Sequence, residues 1–186
     1  MKIVVSACLM GESCKYNGLD NYHRELVEAC ERTGTEVLLV CPEVFGGLPT
    51  PRKPSEIVNG EVRTCEGISV DREFRLGAQR ALDMCEQAGG PEEIAACILQ
   101  DRSPSCGASL IYDGTFSGTL TAGNGTIDNG SGGDIGAIGG GTNLALGGVT
   151  ATVKALEEMI LNRPDPHVHA GIYRNMFFQL ANLFRQ

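Results

Sequence analysis

The sequence predicts an α/β fold: a compact domain with a mainly parallel sheet flanked by helices, plus a small hairpin and a Gly-rich loop. Three observations lead there. Short β-branched runs with no internal charge recur along the chain, the mark of strands covered on both faces. Segments with apolar residues at helical spacing separate them. A strand, a helix and a second strand in that order imply a parallel crossover.

The first run, residues 2–8, has no charge after Lys2 and reads as a strand ending at Cys8. A polar, glycine-punctuated stretch over 11–21 leads into a helix over 23–32, where Leu26, Val27, Ala29 and Cys30 fall at near-helical spacing and Gly34 stands as the stop. Residues 35–40 form the second strand, closed by Cys41-Pro42-Glu43 because proline cannot continue a ladder. Residues 46–54 hold too many breakers for regular structure, and Asn59-Gly60 predicts a tight hairpin over 56–64. Phe74, Ala78, Ala81, Leu82 and Cys85 share one face of a helix over 71–86. Residues 94–99 read as a third strand, and a second hairpin is expected over 110–116 about Asp113-Gly114.

Thirteen of the 25 glycines lie in residues 114–148, which read as a flexible loop. Helical period returns over 149–161 and, past Pro164-Asp165-Pro166, over 173–185. The expected organisation is one α/β domain over 1–161, with a glycine-rich insertion at about 125–147, and a C-terminal helical extension over 162–186 that docks on the domain or forms a homodimer.

A chain of 186 residues suits one domain. Fifteen basic against 23 acidic residues give a net charge of -8, which repels polyanions and makes a large nucleic acid an unsuitable partner. The apolar run near Met1 is short and lacks a cleavage pattern, and no stretch reaches the length of a membrane span, so a cytoplasmic protein is expected. Thiols are kept reduced there, and 8 cysteines are too dilute for a disulfide scaffold; metal binding or chemistry is the more natural use.

Cys8, Cys41 and Cys106 each stand where an expected strand gives way to a loop. Ligands of open α/β sheets lie beyond the carboxyl ends of the strands, so three thiols distant in sequence can meet there. Thiolates select zinc, copper(I) or iron–sulfur clusters, and three rather than four leave one metal position open. The plainer alternative is that these are small buried hydrophobes. Cys14 is a rival ligand in the loop after Cys8, whereas Cys30, Cys85 and Cys97 sit where packing explains them.

Four segments carry a more specific signal: Ser6-Ala7-Cys8-Leu9-Met10-Gly11-Glu12-Ser13-Cys14-Lys15-Tyr16-Asn17-Gly18, Cys41-Pro42-Glu43-Val44-Phe45-Gly46-Gly47-Leu48-Pro49-Thr50-Pro51-Arg52, Arg102-Ser103-Pro104-Ser105-Cys106-Gly107 and Tyr112-Asp113-Gly114-Thr115-Phe116-Ser117-Gly118. In this order, over about residues 1–125, they resemble the bacterial thiouracil desulfidase family. The resemblance implies a compact α/β domain that holds a [4Fe-4S] cluster by Cys8, Cys41 and Cys106, with the fourth iron free to take sulfur from a thiolated pyrimidine. It also implies a catalytic acid/base at Glu43 and an assisting hydroxyl at Ser103, for a non-redox conversion of thiouracil to uracil and hydrogen sulfide. Each residue has a plainer reading. Glu43 would cap a helix or pair with Arg52, Ser103 and Ser105 would only shape the loop before Cys106, and Lys15, Tyr16 and Arg52 would line the pocket or simply face solvent. The rival function is a non-catalytic iron–sulfur or zinc module serving a protein partner.

Overall fold

The computed structural model describes residues 2–90, 93–107 and 110–122. A parallel three-stranded sheet forms its centre, with Lys2–Ser6 between Glu36–Val40 and Ile94–Ile98. Strand β1 is Lys2–Ser6, β2 is Glu36–Val40 and β5 is Ile94–Ile98. The register pairs Val4 with Leu38 on one side and with Cys97 on the other.

Successive side chains of a strand point to opposite faces, and β1 uses both. Ile3 and Val5 pack with Leu26 and Cys30 of helix α1, Arg24–Thr33. Val4 packs with Val40, Ile94 and Cys97 against Ala81 and Cys85 of helix α3, Asp71–Gln87. Cover on both faces is the reason the β1 run shows no polar alternation. The α1 stop is as expected: Gly34 takes φ 62° and its N–H reaches the carbonyls of Cys30 and Glu31.

The segments after the first two strands differ from expectation. The first strand ends at Ser6, not Cys8, because the chain tightens into a 3₁₀ turn over Ala7–Met10 that closes on Gly11 at φ 97°. After β2, Pro42–Phe45 form a one-turn helix, α2, with Cys41 at its N-cap and Pro42 in its first turn. Helix α2 lies on α3 through glycine. A Cβ on Gly77 would strike the Pro42 carbonyl, and one on Gly46 would strike the Glu73 carbonyl.

The hairpin at Asn59-Gly60 forms as expected, with β3 at Ser55–Val58, β4 at Glu61–Thr64 and both turn residues at positive φ, 52° and 82°. The second hairpin is wider than expected. β6, Leu110–Tyr112, pairs with β7, Leu120–Ala122, so the connection is residues 113–119 and not a tight turn at Asp113-Gly114. The Asp113 carboxylate accepts from the Thr115 N–H at 3.0 Å, which opens the loop with a side-chain turn. The buried Glu56 of β3 then accepts from the Gly114 and Phe116 N–H groups at 2.9 and 3.0 Å, pinning this loop to the first hairpin.

The glycine-rich insertion, the helices expected over 149–161 and 173–185, the boundary at residue 161 and the homodimer surface lie outside the described residues. Among the described residues no helix is long and apolar enough to cross a membrane.

Candidate active site

Because β1, β2 and β5 run parallel, their carboxyl ends open on one edge of the sheet, and each is succeeded by a cysteine-bearing segment. Cys8 sits in the 3₁₀ turn after β1, Cys41 caps α2 after β2, and Cys106 ends the loop after β5. The three form one electrostatic group, which Cys14 joins. Cys8 and Cys106 are buried, while Cys14 and Cys41 are partly exposed. Cys14 stands beside Cys41, whose thiol points at the Cys14 carbonyl with 3.8 Å between sulfur and oxygen.

Burial and mutual charge favour the neutral thiols of Cys8, Cys14 and Cys106 in the cluster-free chain. The Cys8 thiol is pushed above the ordinary thiol range, first by desolvation and then by Cys106, Cys14 and Cys41; Lys15 opposes the shift. Desolvation and the neighbouring Cys41 push Cys14 up to about 12. Cys106 rises to about 11 through burial, tempered by hydrogen bonds from the Ser6 and Ser105 hydroxyls. Among the described residues no three His, Cys, Asp or Glu side chains are grouped as ligands of a metal ion would be.

Glu43 enters the edge from the first turn of α2. Its two oxygens have different partners. Oε2 accepts from Arg52 Nε at 2.7 Å, and Oε1 accepts from the Ser105 hydroxyl at 3.0 Å, with Ser103 Oγ farther off at 3.5 Å. The two serine hydroxyls are 2.9 Å apart, and Ser105 Oγ also lies 3.6 Å from Cys106 Sγ. Ser103 supports the loop itself by accepting from the Ser105 and Cys106 N–H groups, both at 3.3 Å. The Glu43–Arg52 pair is buried, with 13% and 6% of the side chains exposed. Removing one partner of such a pair strands the other charge.

The sequence motifs that build this edge are matched by a family model, described as 2-thiouracil desulfurase, over residues 3–129. The chain belongs to the 2-thiouracil desulfurase family. It is 34% identical over 133 residues to the uncharacterized protein YbbK of Bacillus subtilis (strain 168), a match spanning 66% of this chain and 84% of that one. Among solved structures it resembles a [4Fe-4S]-dependent thiouracil desulfidase, TudS, at 42% identity and a TM-score of 0.59, covering 66% of this chain and 78% of the other.

Within this 2-thiouracil desulfurase domain, the expected site residues Cys8, Cys41, Glu43, Ser103 and Cys106 all fall at the same sheet edge. Of the plainer contacts expected for Glu43, the pair with Arg52 is present, whereas the cap is not: Cys41 is the N-cap of α2 and Glu43 lies in its first turn without a capping bond. Ser105 makes the shorter contact to Glu43, an order that motif spacing leaves open because both hydroxyls flank Pro104. Ser6 opens the first of the four motifs but has no role assigned to it by the sequence, since a serine closing an apolar run carries no signal of its own. It is buried, bonds Cys106, and accepts from the Gln100 N–H at 2.8 Å. Cys30, Cys85 and Cys97 pack in the core as expected.

Proposed function

We propose that the chain is a cytoplasmic desulfidase that removes sulfur from a thiolated pyrimidine, thiouracil being the expected substrate, with a [4Fe-4S] cluster held by Cys8, Cys41 and Cys106. The observation that carries this reading is the gathering of those thiols at one sheet edge with the Glu43 carboxylate linked to Cys106 through the Ser105 hydroxyl. The donor set fits the group, because soft thiolates suit iron–sulfur clusters and Cys8, Cys41 and Cys106 would hold it. Family membership and the likeness to TudS support the same assignment.

When bound, the cluster supplies a soft Lewis-acid iron with an open position for the sulfur of the substrate. The chain's own residues handle water and protons. Glu43 takes a proton from the water that attacks the ring carbon, and Ser103 and Ser105 orient the Oε1 atom that does so. The water oxygen ends on the ring carbon and the sulfur leaves as hydrosulfide, with no net electron transfer. The acidic balance of the chain favours a free base or nucleoside over a large RNA.

Anaerobic purification, iron and sulfide analysis, and hydrosulfide release from a panel of thiopyrimidines test the reading together. Four irons and four sulfides per chain, with one uracil formed per hydrosulfide, are the expected result. A colourless preparation holding a single zinc, with no hydrosulfide released, would refute it in favour of a structural module. Glu43→Gln should keep the cluster and lose about 10²- to 10⁴-fold in turnover.

A further inference from the structure

We infer that Arg52 is a positioning residue, which fixes the Glu43 carboxylate and the Cys14 loop in one frame; the inference rests on the acid/base role proposed for Glu43. Four contacts converge on its guanidinium. Nε donates to Glu43 Oε2 at 2.7 Å and Nη2 to the Cys14 carbonyl at 2.9 Å. Nη1 donates to the Pro49 carbonyl at 3.3 Å and to Thr50 Oγ1 at 3.1 Å. The Arg52 backbone N–H adds a bond to the Tyr16 carbonyl at 2.7 Å.

These contacts settle which oxygen of Glu43 works. A carboxylate rotates readily, and either oxygen can face the thiols unless something distinguishes them. Arg52 occupies Oε2, so Oε1 is the oxygen turned to Ser105 and, through it, to Cys106. The same group also stabilises the loop on the far side. The Cys14 carbonyl has two donors here, Arg52 and the Cys41 thiol. A Cys41 that ligates iron as thiolate has no proton to donate, which leaves Arg52 as the donor to that carbonyl. A planar fork with donors at fixed angles can hold both acceptors at once, whereas a lysine ammonium, a single point on a flexible stem, cannot.

The test compares the native protein, Arg52→Gln and Arg52→Lys, anaerobically reconstituted, for iron content, visible absorbance, kcat and KM on thiouracil. It adds amide hydrogen exchange of residues 12–18 and 42–46 in the cluster-free proteins. Arg52→Gln is expected to keep its iron and its KM while kcat falls about 10- to 100-fold, as when the partner that orients a working group is removed. Arg52→Lys should recover only part of that loss. Exchange should rise in both segments together in Arg52→Gln. Native kcat in Arg52→Gln, or exchange unchanged in both segments, overturns the inference while leaving the desulfidase reading intact. Native protein that releases no hydrosulfide removes the desulfidase reading instead, and exchange alone then decides whether Arg52 holds the two segments. Should Arg52→Gln fail to fold, Arg52→Lys carries both readouts.

Discussion

The Ser105 hydroxyl reaches Glu43 Oε1 at 3.0 Å, while Ser103, two residues earlier, stands 3.5 Å from the same atom. The two serines also differ in what else they hold. Ser103 Oγ accepts the N–H groups of Ser105 and Cys106, so it supports the backbone that presents a thiol. Among the described residues, the partners of Ser105 Oγ are side chains: Glu43, Ser103 and Cys106. Ser105→Ala should therefore lower turnover by about 10-fold or more with iron content unchanged. Ser103→Ala should lower turnover and also speed loss of iron to a chelator. Equal chelator sensitivity in the two variants would show that the backbone contacts of Ser103 do not hold Cys106.

Much of this edge is legible in the sequence because the sheet is parallel and buried on both faces. Charge-free runs at Ile3–Val5 and Val37–Val40 announce strands, and a parallel order places the segment after each strand on one side. The features hidden from the sequence depend on the backbone rather than on side-chain character. The 3₁₀ turn at Ala7–Met10 is set by the positive φ of Gly11, one residue past an apolar run that looks continuous. Helix α2 is a single turn, too short for any periodicity. The wide β6–β7 connection arises because Asp113 bonds Thr115 and Glu56 captures two amides, a long-range choice invisible to a two-residue turn signal.

Gly77 is likewise silent in the periodicity of α3, since glycine adds nothing to an apolar face, yet it is buried with Phe74, Ala78 and Ala81. The Pro42 carbonyl of α2 lies where its Cβ would be. Gly77→Ala forces α2 outward, and α2 carries Glu43 and is capped by Cys41. The expected cost is about 1–3 kcal/mol by urea unfolding, as for other overpacked sites, together with reduced iron content after reconstitution. Gly34→Ala serves as the control. It costs about 1 kcal/mol through its φ of 62°, with open space around it, and should leave iron content untouched.

The buried thiols give the cluster-free chain a pH dependence on the alkaline side. Cys106 and Cys85 both rise to about 11, chiefly through desolvation, whereas an unfolded chain leaves them near the ordinary thiol value of 9.0. A group with a raised folded pKa is protonated more readily in the native state. Its stabilising contribution is complete below about pH 9 and is lost as pH rises toward about 11. Urea midpoints of the cluster-free protein should be flat from about pH 7 to about 8.5 and fall between about 9 and 11. Cys85→Ala, away from the candidate site, should make that fall shallower. A midpoint that stays level to about pH 11 would mean that the thiols are not shielded from water as described.

Glu56 supplies a test of how the second hairpin is anchored. Its buried carboxylate accepts two backbone N–H groups, from Gly114 and Phe116, across about 60 residues of sequence. Gly114 cannot gain a side chain there, because a Cβ would strike the Ile57 carbonyl, so loop and strand are in contact along their backbones. Glu56→Ala removes both acceptors and leaves two N–H groups to find water. Hydrogen bonds to a charged acceptor contribute about 1.5–3 kcal/mol each, but solvent reaching the exposed loop recovers part of that, so a total loss of about 1–3 kcal/mol is expected. Amide exchange at Gly114 and Phe116 should accelerate, while Ile3, Val4 and Val5 in the central sheet keep their protection. If the sheet residues accelerate equally, Glu56 is supporting the whole domain rather than anchoring one loop.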